Sequence, residues 1–243
     1  MEKISTIITA YDHHSITVAH VRECMNTTRL PDEIIVVNDG GDPSLKEMLK
    51  KLEIKTKLIY ARINEDIPWN YNGACNLAVW LSKGDFLVFE DNDNIPHKDT
   101  YGEMLKVLTD PKIGRVTARI RHHVSEKDLE KSVSEWEVTG NRGPNQGTYM
   151  IRREIYTLLK GQDERMCGRY GWMYYDWKRR LLNKAKTTFG SAGSYYYVLE
   201  GQSNLERKNS SLNRKYLREN SLSPHLQPPS GIVNFTYTVD EIR

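Results

Sequence analysis

The chain has 243 residues, 38% of them hydrophobic and 28% charged, which suits a globular protein with a sizeable buried core. The net charge of +3 is too small to indicate a dedicated nucleic-acid site, although it suits a protein that binds anionic ligands such as nucleotides. Its three widely spaced cysteines fit neither a disulfide framework nor a zinc motif, so we expect a reducing, cytoplasmic compartment.

Strands and helices alternate through the first 120 residues. Apolar, β-branched runs predict strands at residues 4–9, 33–37, 57–61, 85–89 and 113–120. Helical spacing of apolar residues predicts helices over 15–27, 43–52, 73–81 and 96–108. Strands that are apolar throughout and separated by helices predict a mostly parallel, Rossmann-like α/β sheet that is covered on both faces.

The remaining residues are less regular. We predict strands at 148–151 and 194–199, and helices at 152–159 and 170–185. From Gln202 onward the chain is polar and basic, and the proline-containing stretch from Ser221 is typical of an extended tail. The basic stretch over 207–218 permits an anionic acceptor or a peripheral membrane contact, although a solvated face is the simpler explanation.

We expect neither a targeting segment nor a transmembrane segment. The first predicted strand begins at Ile4, which leaves no room for the apolar stretch and cleavage site of a signal peptide. In addition, no stretch approaches the roughly 18 apolar residues that span a bilayer.

Polar residues follow three of the predicted strands. These segments are Ala10-Tyr11-Asp12, Asn38-Asp39-Gly40 and Asp91-Asn92-Asp93. Ligands of open parallel sheets bind at the carboxyl ends of the strands. Three strand ends that carry polar side chains to one edge therefore predict a ligand site.

The acidic segment after the fourth strand has the chemistry of a cation site. If the segment is extended, Asp91 and Asp93 point the same way and Glu90 points away from them. Two carboxylates supply the hard oxygen ligands that Mg²⁺ or Mn²⁺ prefers, and such an ion bridges a protein to a diphosphate. The alternative is a solvated acidic turn, but the buried strand before it favours the cation site.

Several segments resemble, in order, those of the family 2 glycosyltransferases with the GT-A fold. They are ISTIITAYD, PDEIIVVNDGG and NGACNLAVWLSKGDFLVFEDND. The resemblance covers residues 4–120 well and extends weakly to about 190. It implies a GT-A fold with a smaller acceptor-side subregion. It also implies a metal-dependent, inverting enzyme that moves a sugar from a nucleotide-diphosphate sugar, a UDP-sugar by preference, to a hydroxyl of a carbohydrate or glycoconjugate acceptor.

The resemblance also assigns roles. The implied nucleotide and donor residues are Thr9, Ala10, Tyr11, Asp39, Arg62, Asn76, Asp91 and Asn92. Asp39 would accept a hydrogen bond from the nucleobase, and Asp91 and Asp93 would bind Mn²⁺ or Mg²⁺. Many relatives carry arginine where this chain has Cys75, so Arg62 is the candidate for a replacement phosphate contact. Relatives often use a late histidine as a further metal ligand, and His225 is the candidate here.

The general base is less clearly marked. An inverting transferase needs one group that takes the proton of the acceptor hydroxyl. The acidic pair of the family would fall on Met173 and Tyr174, and a shifted alignment places Tyr175-Asp176-Trp177 there instead. Both alignments keep Asp176 as an acid, so it is the predicted base. Asp163 and Glu164 are the reserve candidates.

Two features near Asp176 have structural alternatives. Asp176 has arginines three and four residues later on the same predicted helix, so it also has partners for an ion pair. Aromatic residues nearby suggest a sugar-stacking wall at the acceptor site, but their helical spacing fits a core face equally well. The acceptor candidates are Trp69, Trp172 and Tyr175. The histidine pairs at 13–14 and 122–123 lack metal-ligand spacing, and we expect them at the surface.

We therefore predict a nucleotide-sugar-binding half at 1–120, an acceptor and base half at 121–200, and a basic extension at 201–243. The main alternative is a catalytically idle relative that binds nucleotides or sugars, which the altered pair at Met173 and Tyr174 favours. A dinucleotide enzyme would show GxGxxG after the first strand, and a nucleotidyltransferase would show a glycine-rich basic loop there. Residues 10–14 contain neither.

Overall fold

The computed structural model describes residues 2–199, 211–220 and 235–242. Its strands are β1 Ile4–Ala10, β2 Glu33–Asn38, β3 Lys57–Ile63, β4 Phe86–Asp91, β5 Asn94–Pro96, β6 Ile113–Val124, β7 Gly140–Arg142, β8 Tyr149–Arg152, β9 Thr188–Leu199 and β10 Tyr237–Ile242. Its α-helices are α1 His14–Cys24, α2 Leu45–Leu49, α3 Tyr71–Leu81, α4 Thr100–Leu108, α5 Arg153–Leu158, α6 Met173–Arg180 and α7 Ser211–Asn220.

The described strands form one sheet in the order β10-β3-β2-β1-β4-β8-β6-β9-β5, and β7 pairs with β6. The four N-terminal strands β3, β2, β1 and β4 are parallel, as the sequence predicts. Their register places Ala10 opposite Asn38 and Thr9 opposite Asp91. The polar residues that follow β1, β2 and β4 therefore reach the same edge of the sheet.

Helices cover both faces of this sheet, which confirms the predicted α/β layering. Because side chains alternate along a strand, neighbouring residues such as Ile7 and Ile8 enter different cores. One core contains Ile8 and apolar residues of α1, α2 and α4, such as Val21 and Leu45. The other contains Ile7 and residues of α3, α5 and α6, among them Trp177.

The C-terminal half extends the sheet with mostly antiparallel pairs. Strand β8 runs antiparallel to β4 and β6, whereas β9 is parallel to β6. Strand β6 continues to Val124, beyond the predicted end at Ile120. The helix predicted from Pro96 begins only at Thr100, because Asn94–Pro96 is a short strand that pairs with β9.

The helix predicted over 170–185 is interrupted at its start. Trp172 adopts a left-handed conformation with φ 66°, and α6 begins after it. The helix then continues into a π-helical turn at Leu181–Ala185. Trp172 therefore turns the chain so that the first residues of α6 face the carboxyl edge of the sheet.

The prediction of an extended tail from Ser221 is wrong for residues 237–242. These residues form β10, which pairs antiparallel with β3 and covers an edge of the sheet. Helix α7 packs on the domain through Asn213, whose amide nitrogen donates to the carbonyls of Met166, Arg169 and Gly171. Within the described ranges, no helix has the length and apolar character needed to cross a bilayer.

Candidate functional site

A cleft of about 1210 Å³ lies at the carboxyl edge of the sheet. One side is formed by residues at the ends of β1 and β4, including Thr9, Asp91 and Asp93. The opposite side is formed by β6, β7, the segment that precedes β8, and the start of α6. The cleft therefore joins the two halves that the sequence predicts for donor and acceptor.

Asp91, Asn92 and Asp93 are all partly exposed and line this cleft, as the sequence predicts. The assumption that the segment is extended is wrong, because β4 ends at Asp91 and residues 92–93 form a turn. The Nδ2 atom of Asn145 donates to Asp91 Oδ2 at 2.6 Å, and the amide of Asn94 donates to Asp93 Oδ1. The Asp91 and Asp93 carboxylates thus lie within one turn of the chain, an arrangement of oxygen donors that suits a hard divalent cation.

The residue at position 147 must be glycine for the Asp91 carboxylate to take this position. A Cβ atom at Gly147 would lie 2.6 Å from Asp91 Oδ2 and 2.7 Å from Oδ1. Gly147 is also held by the Asn145 side chain, which accepts a hydrogen bond from its backbone N–H at 2.9 Å. The segment before β8 thus fixes one face of the carboxylate.

Glu90 points away from the cleft, as predicted. Its carboxylate accepts hydrogen bonds from Tyr101 Oη at 3.0 Å and lies 2.9 Å from His20 Nε2. His20 Nδ1 lies 3.0 Å from the carbonyl oxygen of Asn92, so this buried cluster supports the Asp91–Asp93 turn from behind. Cys24 joins the cluster through a hydrogen bond from its thiol to Glu90 at 3.6 Å.

His20, Cys24 and Glu90 also offer three possible metal ligand atoms within 4.8 Å of one another. Burial raises the pKa of the Cys24 thiol well above its usual value, and the Glu90 carboxylate adds to this. A thiolate is the metal-binding form of cysteine. The hydrogen bonds and the protonated thiol thus favour a support for the turn, while Asp91 and Asp93 are the better oxygen donors for Mn²⁺ or Mg²⁺.

Asp39 lies at the end of β2, beside a smaller recess of about 450 Å³ lined by Tyr11, His14 and Gly41. Its Oδ1 accepts a hydrogen bond from Asn70 Nδ2 at 2.9 Å. Burial raises the pKa of Asp39 to about 7, although the Asn70 hydrogen bond opposes the shift. Asp39 is therefore a partly buried acceptor that changes charge near neutral pH.

Three of the other predicted nucleotide residues, Tyr11, Ala10 and Arg62, lie in or beside this recess. Tyr11 is 49% exposed, and its hydroxyl donates to Asp66 Oδ2 at 3.2 Å. The carbonyl oxygen of Ala10 accepts from the backbone N–H of Asp39 at 2.7 Å. Arg62 Nε donates to the carbonyl oxygen of Gly41 at 3.3 Å. Arg62 therefore supports the recess rather than the edge at Asp91.

Asn76 is placed differently from the predicted donor contact. Its Nδ2 donates to the carbonyl oxygen of Gln162 and to Glu164 Oε1, at 3.0 and 2.7 Å. Its Oδ1 accepts from Tyr156 Oη at 2.7 Å and from the Gln162 backbone N–H at 2.8 Å. Asn76 and Glu164 therefore fasten the loop after α5, and neither is among the described residues that line the cleft.

Asp176 and Asp163, the two aspartates predicted as candidates for the general base, each form an ion pair with arginine. Asp176 is 3% exposed and receives Arg180 Nη2 at 2.6 Å and Arg179 Nη2 at 3.2 Å. Asp163 is 1% exposed and receives Arg165 Nε at 2.8 Å and Arg165 Nη2 at 2.9 Å. The described carboxylates that line the cleft are instead Asp12, Asp91 and Asp93.

The aromatic candidates are divided between the cleft and its surroundings. Trp69 and Trp172 line the cleft, and Trp69 packs edge-on against Tyr170 with ring centroids 4.8 Å apart. Tyr175 is 56% exposed and packs on Trp172, outside the described lining. Tyr174 and Trp177, which belong to the same aromatic group near Asp176, also line the cleft.

Sequence reasoning missed the basic side of the cleft. Arg115, Arg121 and His123 on β6 and Arg142 on β7 all line it. The length of β6 was the missing signal, because a strand that ends at residue 120 does not carry His123 to the edge of the sheet. His225 and the basic residues at 207–208 lie outside the described residues.

The known proteins that the chain resembles in sequence are all described as glycosyltransferases. The sequence profile described as "Glycosyl transferase family 2" matches residues 5–175. An uncharacterized glycosyltransferase of Rickettsia bellii is 28% identical over 93 residues, which are 38% of this chain and 13% of that protein. The uncharacterized glycosyltransferase YfnE of Bacillus subtilis is 29% identical over 109 residues, which are 43% of this chain and 26% of that protein. The matched parts are thus small shares of both relatives.

Two solved structures share the fold. The mannosyltransferase PcManGT from Pyrobaculum calidifontis, in complex with GDP-Man and Mn²⁺, has a TM-score of 0.57 at 16% identity. The match covers 81% of this chain and 56% of that one. S. aureus TarS 1-349 has a TM-score of 0.55 at 13% identity and covers 81% of this chain and 58% of its own. These likenesses show a GT-A glycosyltransferase fold, and with the profile match they establish that the chain belongs to glycosyl transferase family 2.

Proposed function

We propose that the protein transfers a sugar from a nucleoside-diphosphate sugar to a hydroxyl acceptor, with a divalent cation and with inversion at the anomeric carbon. One observation carries the proposal. Asp39 follows β2, and Asp91 and Asp93 lie at the end of β4, so both reach the same edge of the parallel sheet, with β1 between them. Asp91 and Asp93 line the large cleft that opens there. A base-binding acceptor and two oxygen ligands in this arrangement suit the two ends of a nucleoside diphosphate.

The cation belongs at the Asp91–Asp93 turn. Both side chains are partly exposed to the cleft and present carboxylate oxygens, the ligands that Mn²⁺ and Mg²⁺ take in proteins. A bound cation would neutralise charge on the diphosphate leaving group. The fold neighbour PcManGT was solved with GDP-Man and Mn²⁺, which supports the same combination here.

The nucleobase belongs in the recess beside Asp39. A carboxylate there accepts a hydrogen bond from a ring N–H, which both uracil and guanine provide. Tyr11, half-exposed at the recess, offers a face on which a base can stack. UDP is our first choice, and GDP is the alternative that the test must include.

The acceptor belongs on the opposite side of the cleft, in the half that we assign to residues 121–200. Trp69 and Trp172 line that region and supply apolar faces of the kind that pack on sugar rings. Asp176 remains the predicted base. In that role it would have to leave the ion pair with Arg180, whose Nη2 lies 2.6 Å from it, so its present contacts favour a structural role.

Nucleotide binding is the first test, by thermal shift with UDP, GDP and their sugar conjugates, each with and without Mn²⁺. A ligand that binds only the folded state raises the apparent stability. We expect a shift with one nucleotide that requires Mn²⁺ and is lost in Asp93→Ala. Glu53→Ala, an exposed carboxylate outside the described cleft, is the matched control. Absence of any shift with every nucleotide would refute the proposal.

A catalytically idle relative that only binds nucleotides or sugars is the second candidate. Met173 and Tyr174, without carboxylates at the start of α6, and the paired Asp176 favour it. Release of UDP or GDP from the sugar conjugate, with or without an acceptor, separates the two functions. Mn²⁺-dependent release that disappears in Asp93→Ala supports the enzyme, whereas binding without release supports the idle relative.

A further inference from the structure

Arg115 is a buried cation in the floor of the cleft. It is 1% exposed, although it lines the cleft. Its guanidinium carbon lies 3.9 Å from the centre of the Tyr149 ring and 5.2 Å from that of Tyr174. Strand β6 therefore sends a long basic side chain between two aromatic rings, under the first turn of α6.

This guanidinium has few polar partners. Its Nη2 atom donates to the carbonyl oxygen of Gln146, whereas Nε and Nη1 have no hydrogen-bond partner among the described residues. Nor does Arg115 form an ion pair within the described part of the chain. Burial lowers the pKa of Arg115, but arginine remains charged in proteins. A buried charge without a paired anion is unfavourable and rare.

Further basic side chains line the cleft beside Arg115. Arg121 and His123 follow Arg115 along β6, and Arg142 lies on the neighbouring β7. The cleft carboxylates Asp12, Asp91 and Asp93 lie at or just after the ends of β1 and β4 and form an acidic edge, suited to a cation. The basic side chains of β6 and β7 form a basic edge, suited to an anion. The segment before β8 joins the two edges, because Asn145 donates to Asp91 and the Gln146 carbonyl accepts from Arg115.

The start of α6 adds to the basic edge. Met173 and Tyr174 begin this helix, line the cleft and carry no negative charge. The only acidic residue in the first turn, Asp176, is already paired with Arg180. Unpaired backbone N–H groups at a helix N-terminus attract anions. Arg115 and the helix therefore favour the same kind of ligand.

We propose that the acceptor carries an oxyanion, either a carboxylate or a phosphate, and that Arg115 binds it at the basic edge. This inference rests on the proposed transfer to a hydroxyl acceptor. The anion takes the place of the Gln146 carbonyl at Nη2, which exchanges a neutral acceptor for a charged one. An oxyanion adds the attraction between two opposite charges, and it can accept from two N–H groups of one guanidinium at the same time.

The test compares anionic probes with neutral counterparts of similar shape. Methyl glucuronide against methyl glucoside tests a carboxylate, and glycerol 3-phosphate against glycerol tests a phosphate. Each is titrated by thermal shift and calorimetry into the wild-type chain, Arg115→Met and Arg119→Met. Arg119 is an exposed arginine on the same strand, outside the described cleft lining, so it controls for the loss of one charge.

We expect one anionic probe to bind the wild type and Arg119→Met, while its neutral counterpart does not bind. Arg115→Met should weaken that binding about tenfold or more, because a hydrogen-bonded charge pair is lost. Without probe, Arg115→Met should melt at the same temperature as the wild type or higher, because an apolar side chain of similar length replaces an unpaired buried charge. A purely structural arginine would give a lower melting temperature.

Three outcomes overturn the inference. They are equal binding of anionic and neutral probes, probe binding that survives Arg115→Met, and a loss of UDP or GDP affinity in Arg115→Met with the probe unaffected. The last result would assign Arg115 to the donor.

Nucleotide shifts with Mn²⁺ are measured on the same samples. A nucleotide shift without anion binding therefore refutes the acceptor site alone, and anion binding without a nucleotide shift refutes the proposed transfer alone.

Discussion

Replacement of Asp39 by asparagine should make the protein more stable and weaken its binding of nucleotides. The pKa of Asp39 rises from 3.8 to about 7 in the folded protein, mainly because the carboxyl is buried. At roughly 1.4 kcal/mol per unit, this shift corresponds to about 4 kcal/mol of cost for the ionised form. Because the carboxyl still reaches solvent, we expect the actual cost of the ionised form to be about 2 kcal/mol.

The pH dependence follows from the direction of the shift. The folded state holds the proton more tightly, so the contribution of Asp39 to the free energy of unfolding falls as pH rises from 3.8 to about 7. At pH 8 the wild type bears the full cost of the ionised carboxylate, and at pH 5, about one unit above the unfolded pKa, it bears about 40% of that cost. Asp39→Asn should therefore exceed the wild type by about 2 kcal/mol at pH 8, with a smaller difference at pH 5.

Urea denaturation at the two pH values measures this difference. Asp42→Asn is the control, because Asp42 is exposed and its pKa is lowered by hydrogen bonds with Ser44. It should not stabilise the protein at pH 8. Nucleotide affinity should fall about tenfold in Asp39→Asn, because a neutral amide replaces the charged acceptor. A variant that is less stable at pH 8, or that differs from the wild type equally at both pH values, would refute the reasoning.

Three further substitutions separate the support of the site from its chemistry. Gly147→Ala should weaken Mn²⁺ binding about tenfold, measured by electron paramagnetic resonance, because the new Cβ displaces the Asp91 carboxylate; unchanged Mn²⁺ affinity would contradict this contact. Arg180→Met should lower the free energy of unfolding, measured in urea, by about 3–5 kcal/mol, because it leaves the buried Asp176 with only the more distant Arg179. A loss below about 1 kcal/mol would contradict a structural role for the ion pair. Tyr101→Phe should cost about 1 kcal/mol in the same assay, and a neutral result would show that its hydrogen bond to Glu90 contributes nothing.

The parallel half of the fold was predictable because its signals are local. The strand at 33–37 contains the buried β-branched run 34–37, and the strand at 85–89 is followed at once by the acidic turn. Parallel pairing then brings Asp39 and Asp91 to one edge without further information. For the same reason the direction of Glu90, away from the cleft, could be inferred.

The basic side of the cleft was not predictable because it depends on contacts between distant residues. Arg115 stands in a stretch with further arginines at 119 and 121, which suggests a solvated strand face. Its burial depends on Tyr149 and Tyr174, which lie 34 and 59 positions further along the chain. The local pattern of polar and apolar residues does not predict contacts with residues so far along the chain.

The role of Asp176 illustrates an ambiguity of another kind. An acid with arginines three and four residues later fits both an ion pair and a base on a helix. Only the burial of the whole group, with Arg180 also donating to the carbonyls of Leu159 and Gly161, favours the ion pair. The sequence shows that both partners are present, but it does not show whether the pair is buried.

The pairing of β10 with β3 also bears on the order in which the sheet is assembled during synthesis. Tyr237 lies opposite Ile63, so β3 leaves the ribosome far ahead of its antiparallel neighbour. Until β10 emerges, one side of β3 presents open N–H and C=O groups, which are a template for pairing with other chains. Nascent or truncated chains that lack β10 would therefore need protection by a chaperone while the rest of the sheet is already present.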